Sequence, residues 1–205
     1  MKNTTYAFTF AALALSACGG GDTTTNSGPL SFSQIEARVG QLTPLLDNVS
    51  VSPPADVLAL STASYSGIFV AGSTNVNFEN DLFAAVGTAS LDANIDDGTI
   101  SGSVTNLYGS GARPLFGSFA LTGGSINNAK LGEVDEFPIT LNLTGSVADA
   151  NGNPFSYGEV PLTGRFGNAN AALVAIEGTQ NITVTPSGGA PVNVEVSIGI
   201  VGEIE

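Results

Sequence analysis

The sequence has no histidine, no tryptophan, one cysteine, and five basic residues among 205. Each shortage removes a class of chemistry. Without histidine there is no Ser-His or Cys-His dyad, no imidazole general base and no imidazole metal ligand. A single thiol cannot form an internal disulfide, so Cys18 is free, buried or chemically used. With 18 acidic residues and a formal charge of −13, the surface repels nucleic acid and anionic lipid headgroups. The longest apolar run, Tyr6 to Leu15, is too short to span a bilayer. No phosphate-cradling or dinucleotide glycine loop lies between a strand and a helix. Carboxylate-pair chemistry is what remains. Its candidates, Asp92, Asp96, Asp97, Glu133, Asp135 and Glu136, sit at turns, where charge is expected anyway. The composition therefore argues against an enzyme and against a bound cofactor. A haem would have only Tyr65, Tyr108 or Tyr157 as protein ligands once Met1 is removed.

What is present begins with "LALSACGGGD", Leu13 to Asp22. Met1 and Lys2 precede the apolar run, which suits the central region of a secretory signal. Leu15, Ser16 and Ala17 stand before Cys18. This segment resembles the lipobox of bacterial lipoproteins. The resemblance implies cleavage before Cys18, lipidation of its thiol and acylation of the new amine. Residues 1–17 are thus read as signal and 18–30 as a flexible tether, since "GGGDTTTNSGP" is small, polar and glycine-rich. Several acyl chains, at about 0.8 kcal/mol per buried methylene, anchor far better than one. Gly19 rather than Asp after the cysteine implies, again by resemblance, the outer membrane. After cleavage four basic residues face 18 acidic ones, a net charge of −14, because residues 1–17 hold only Lys2.

Residues 31–61 read as a helix and connector. Ser33 and Glu36 fit a capping box. Ile35, Val39, Leu42 and Leu46 then recur at helical spacing, and Pro44 with "DNVSVSPP" ends the pattern. The stripe is expected to dock on the domain that follows.

From Thr62 to Glu205 the period is two. Ile139, Leu141, Leu143 and Val147 share one face, as do Val192, Val194, Val196, Ile198 and Ile200, with polar residues opposite. Turns at Asp97-Gly98, "DANGNP" and "PSGGAP" separate the runs. Strands are expected near 62–71, 84–95, 99–107, 115–123, 137–147, 157–166, 172–185 and 191–203. Eight antiparallel strands with one apolar face close most simply into a barrel, which also removes free edges. A β-sandwich is the alternative. Outward faces of Thr, Ser, Asn, Glu and Arg, with no Trp, argue against lipid contact. The reading is all-β: a soluble eight-stranded antiparallel β-barrel preceded by a short amphipathic helix. Gly67, Gly87, Gly102, Gly117, Gly145, Gly164 and Gly178 are expected to point inward, leaving room for aromatics.

"ASYSGIFVAG", "VGTASLDANIDDGTISGSVTNL" and "PLTGRFGNANAALVAIEGT" carry a further resemblance. Tyr65 and Gly67, the Gly87 to Gly102 hairpin, and Gly164, Phe166 and Gly167 before Asn168 to Ala172 resemble the barrel domain of the transferrin-binding protein B family. That group includes factor H-binding protein-like surface lipoproteins. The resemblance covers residues 31 to 205 and implies a single barrel without the second lobe and long receptor-binding loops of the large members.

Two segments partly match a calcium-binding loop. Asp92-Ala93-Asn94-Ile95-Asp96 and Asp149-Ala150-Asn151-Gly152-Asn153 place oxygens at alternate positions. Position 6 is Asp97 or Pro154 instead of Gly, and position 12 is Ser103 or Val160 instead of Glu, so both read as solvated turns and no metal is assigned. Tyr108, Phe155 and Tyr157 flank expected loops and are the binding candidates. Together these features describe a monomeric, outer-membrane-anchored lipoprotein held to the membrane by its lipid. Its non-catalytic barrel contacts a protein or iron-carrier ligand through loops and binds no nucleic acid. The alternative is a structural envelope lipoprotein without a specific ligand.

Overall fold

The computed structural model describes residues 29–46, 50–73, 81, 83–184 and 192–205, with only the backbone at 43, 45–46, 183–184 and 192. Cys18, the signal and most of the tether lie outside the described residues, as does the "PSGGAP" turn.

The chain order is α1 (Phe32–Leu46), α2 (Pro54–Leu58), β1 (Thr62–Ser73), β2 (Ala85–Asn94), β3 (Thr99–Gly109), β4 (Arg113–Ile126), β5 (Ile139–Ala148), β6 (Pro154–Phe155), β7 (Val160–Gly167), β8 (Leu173–Val184) and β9 (Val192–Ile204). The sheet runs β4-β3-β2-β1-β9-β8-β7-β5, and β4 pairs with β5, so eight strands close a ring. The two-residue β6 adds only to the end of β5. All pairings are antiparallel, and the last strand meets the first from Tyr65↔Ile204 to Ser73↔Val196. The barrel expected from the alternation is what forms, rather than a sandwich.

The period-two residues divide as a closed sheet requires. Tyr65, Phe69, Phe119, Ile139, Leu143, Phe166, Val196, Ile198 and Ile200 are buried inside. Outside, hydroxyls pair across strands: Thr88 with Thr105 at 3.2 Å, and Ser125 with Thr140 at 2.9 Å. Such a wet face gives lipid tails nothing to replace water. Among the described residues no helix is long and apolar enough to cross a membrane.

Ile68, Val86 and Val201 are apolar on the outward face, and α1 explains them. Ile35, Val39 and Leu42 pack on Ile68, Val86 and Val201, all buried. Each fully buried aliphatic side chain is worth roughly 1.5–3 kcal/mol, which holds the helix on the barrel wall. Arg38 adds an ion pair with Glu203. Two local expectations are corrected. The N-cap is Ser31, not Ser33: the Gln34 amide approaches Ser31 Oγ at 3.4 Å, and the Ser31 amide donates to Gln34 Oε1 at 2.8 Å. The box is the same device two residues earlier, which lets Phe32 enter the first turn. Pro44 does not end the helix but lies in its last turn.

Glycine is required where backbones crowd. A Cβ on Gly67 would sit 1.8 Å from the carbonyl oxygen of Val201, so β1 and β9 could not approach as they do. At this position the space is taken by the neighbouring strand and not by an aromatic ring. Gly117 and Gly145 pair with the buried Val147 and Phe119 and have φ of 117° and 120°; a Cβ on Gly145 would lie 3.6 Å from the Phe119 ring, so this glycine leaves room for an aromatic as expected. The β2–β3 turn has Gly98 at φ 66°, where the expected Asp97-Gly98 reversal demands it.

Candidate functional site

The barrel has two ends. One is capped by α2 and is called the α2 end. The other gathers the ends of β1, β3, β5 and β8 and the starts of β2, β4, β7 and β9 and is called the opposite end.

All three sequence-predicted binding residues lie toward the opposite end, and the fold draws them inward. Tyr157 is 2% exposed. Its ring lies 5.4 Å from Phe119, 6.4 Å from Phe69 and 4.8 Å from Phe155, edge-on to the last. Its hydroxyl donates to the Phe83 carbonyl at 2.8 Å. Burial, with the Asp81 carboxylate as a second cause, raises its pKa well above the usual 10. Phe155 is half-buried on β6, 6.4 Å from Phe83. The physical reason is the end itself: an eight-stranded barrel without a plug would leave Phe69 and Phe119 open to water. The β5–β7 connection supplies Phe155 and Tyr157 as the stopper.

Tyr108 is half-buried under the start of α1. Its ring meets Phe32 edge-on at 5.7 Å and its hydroxyl donates to the Leu30 carbonyl at 3.2 Å. Asn106, at φ 52°, donates to the same carbonyl at 2.6 Å. Pro29, Leu30, Thr88, Thr105 and Asn106 line a shallow hollow of about 350 Å³ here. Tyr108 thus holds the incoming chain to the barrel wall.

Asp81, unremarked in the sequence, is 2% exposed. Its carboxylate accepts from the Ser73 amide and, at 2.8 Å, from the Phe83 amide. It clasps the end of β1 to the segment leading into β2. A lone Asp between Asn80 and Leu82 in an otherwise turn-like stretch gives no periodic signal, so sequence reasoning had no handle on it. Ser73 Oγ, close by, is buried with no partner among the described residues.

The residues weighed for calcium are engaged locally. Asp149 Oδ1 accepts from the amides of Asn151 at 2.8 Å and Asn153 at 3.0 Å, and Oδ2 accepts from the Asn153 side chain at 2.9 Å. These bonds, led by that side chain, lower its pKa. Asp92 accepts from Ser64 at 2.7 Å, and Asn94 bonds Asp97, while Asp96 stays exposed in the turn. The first group makes an Asx-type turn and the second closes a hairpin.

The α2 end is built differently. Val57 of α2 is fully buried and belongs to the barrel core, as do Leu131, Ala171 and Ile95. Ser52 donates to Asn168 O at 2.7 Å, Val51 bridges Gly167, and Asp56 accepts from the Asn170 amide at 2.9 Å. Tyr65, inside, donates to Ala171 O at 3.1 Å, and burial pushes its pKa up to about 12. Outside, this end shows apolar side chains: Leu58 at 51% exposure, Val134 at 69%, Phe137 and Ile204. They are four of the five large hydrophobics exposed among the described residues; the fifth, Phe116, is on β4 toward the opposite end. Sequence reasoning passed over all five. The usable signal was Val134 in "GEVDEF", an aliphatic isolated among acids.

No protein-family model matches the chain, and no curated protein does. Two solved structures are similar to it. One is a double mutant of transferrin binding protein B from Haemophilus parasuis Hp5, with 17% identity and a TM-score of 0.43. The other is isotype 1 transferrin binding protein B from serogroup B Neisseria meningitidis, with 18% identity and a TM-score of 0.46. Each match covers 76% of this chain, which spans 28% of the other. Both belong to the group whose barrel motifs the sequence resembles.

Proposed function

We propose that this chain is a lipoprotein, anchored to the outer membrane through Cys18, whose barrel is a non-catalytic module for contact with a protein ligand on its outer surface. The observation that carries the reading is the filled interior. Tyr65, Phe69, Phe119 and Phe166 are each 1% exposed or less, and Tyr157 and Val57 stop the two ends. A ligand therefore meets the exterior. A rigid, closed scaffold with exposed loops pays little ordering entropy on binding. Anchoring rests on Leu15 to Cys18 with the glycine-rich tether behind them. Transferrin is no part of the proposal.

Two measurements test it. Cys18→Ser should abolish cleavage at that position and move the protein out of the detergent phase; a processed, still membrane-bound variant overturns the anchor. Protease added to intact cells should remove the barrel if it faces outward, and spare it if it faces the periplasm. The second reading, a structural envelope lipoprotein, is favoured by one observation: Tyr108, Phe155 and Tyr157 are occupied within the fold.

A further inference from the structure

From the exposed apolar side chains and the carboxylates around them, we infer that the α2 end is the docking surface, and that its occupant is a basic protein segment bearing aliphatic anchors. The inference rests on the binding-module reading and specifies where and what it binds.

The apolar side chains are joined through the backbone. Pro54 and Leu58 stand four residues apart on α2 and share a face. The Gly132 backbone abuts the Pro54 ring so closely that a Cβ there would lie 2.6 Å from it. Val134 follows two residues later. Arg165 donates to the Val134 carbonyl at 2.8 Å, and its guanidinium stands 4.4 Å from the centre of the Phe137 ring. The loop carrying Val134 and Phe137 is thus pinned before any partner arrives, which lowers the ordering cost of binding. Nothing in that bracing needs Val134 or Leu58 to face water.

Charge selects the partner. The loop 127–138 lies against the β2–β3 turn: the Ile126 amide donates to Gly98 O at 2.8 Å, and Asn128 donates to Ile95 O at 3.3 Å. Asp96 and Asp97 lie on the turn, and Glu133, Asp135 and Glu136 lie on the loop that starts against it. Against them stand Lys130, already paired with Glu136 at 2.6 Å, and Arg165, occupied by Val134 and Phe137. An apolar strip rimmed by uncompensated carboxylates rejects an acidic partner and a second copy of this −13 chain. It favours lysine or arginine around an aliphatic anchor.

Placement agrees. The described chain starts at Pro29 and Leu30 toward the opposite end, and α1 then runs along the wall to Glu203, near the α2 end. Arg38, which meets Glu203, is eight residues beyond Leu30, about 12 Å along a helix. A tether attached through Leu30 leaves the α2 end as the one farther from the anchor point.

The test uses the full chain with Cys18→Ser to keep it free of lipid, and as probe a fluorescent lysine–leucine amphipathic peptide of about 14 residues. Anisotropy should report binding that weakens steeply with salt. Leu58→Ser and Val134→Ser should each weaken it about tenfold. Phe116→Ser, an equally exposed site elsewhere, should leave it unchanged. Glu133→Gln with Asp135→Asn should weaken it far more than the charge-matched Glu177→Gln with Glu195→Gln. Equal losses at Phe116 and Val134, or equal effects of the two charge pairs, overturn the assignment to this end while leaving an exterior binding module standing. Failure of the probe to bind any form overturns the partner chemistry. Self-association abolished by Val134→Ser overturns it in favour of a second copy. Circular dichroism of each variant controls for folding.

Discussion

At the opposite end the barrel is stopped by rings: Phe119, Tyr157 and Phe155 step outward from the core, and Asp81 clasps the strand ends beside them. At the α2 end a five-residue helix inserts one valine and leaves its own leucine in water. Among the described residues the first end uses its large hydrophobics in closure, Phe116 excepted; the second closes cheaply and keeps several on display. Aromatic residues near loops are thus poor indicators of a binding surface in a narrow barrel, because closure needs them first. Small aliphatics stranded among acids are better ones.

The sharpest way to break this contrast is to empty the stopper. Phe119→Ala or Tyr157→Ala should cost roughly 3–5 kcal/mol, read from urea midpoints, as a large buried ring leaves a cavity. If Tyr157→Ala costs under about 1 kcal/mol, the opposite end is not sealed by that ring and the contrast collapses.

The closing strand comes next. Val196 and Ile198 of β9 are at most 1% exposed. Ser197, expected on the wet face, is itself only 6% exposed, so the surface reference on β9 is Glu195: Ile198→Ala should cost about 2–5 kcal/mol and Val196→Ala somewhat less, whereas Glu195→Ala should stay within about 0.5 kcal/mol. Equal effects would mean β9 does not face the core as described.

A third, smaller effect separates the polar elements. Asp81→Asn keeps one acceptor oxygen for two amides and should destabilise by about 1–3 kcal/mol. Asp56→Asn at the α2 end, where one amide is served, should cost less. The reverse order would show the α2 end to be the more tightly closed.

Tyrosine titration supplies a pH readout. Folding raises the pKa of Tyr65 to about 12 and that of Tyr157 well above 10. The folded chain therefore holds these protons where the unfolded one has lost them. Their contribution is complete below about pH 10 and declines as pH rises from there toward 12 and beyond. Tyr65→Phe should reduce the steepness of the alkaline loss in thermal melts. An unchanged slope in that variant and in Tyr157→Phe would place neither hydroxyl in a dry site.

The smallest effect is at the surface. Leu58→Ser and Phe116→Ser should each change stability by under about 0.5 kcal/mol, since neither side chain is withdrawn from water. A large loss at Leu58 would make α2 a stabilising plug along its whole length rather than at Val57 alone.

Several features were legible in the chain because they depend on local periodicity. Ile139 to Val147 and Val194 to Ile200 alternate, and so they had to lie in strands with one dry face. Asp97-Gly98 needs a left-handed residue, so the hairpin was visible. Ile35, Val39 and Leu42 repeat at helical spacing, so a docked helix followed. The cap slipped by two residues because Ser31 with Gln34 and Ser33 with Glu36 fit the same rule, and only the packing of Phe32 against Tyr108 chooses between them.

The sequence by itself determined the strand order's raw material, the barrel's wet outer face, the acidic surface and the absence of histidine chemistry, because composition and a two-residue period are properties of neighbouring residues. Tertiary structure alone decided that Tyr157 and Phe155 close an end, that Asp81 is a buried clasp, and that Leu58 and Val134 come to the same end of the barrel as the acids of two separate loops. Those outcomes depend on which distant segments share an end of the barrel. Ring closure through β1 and β9, not any local pattern, brings them there.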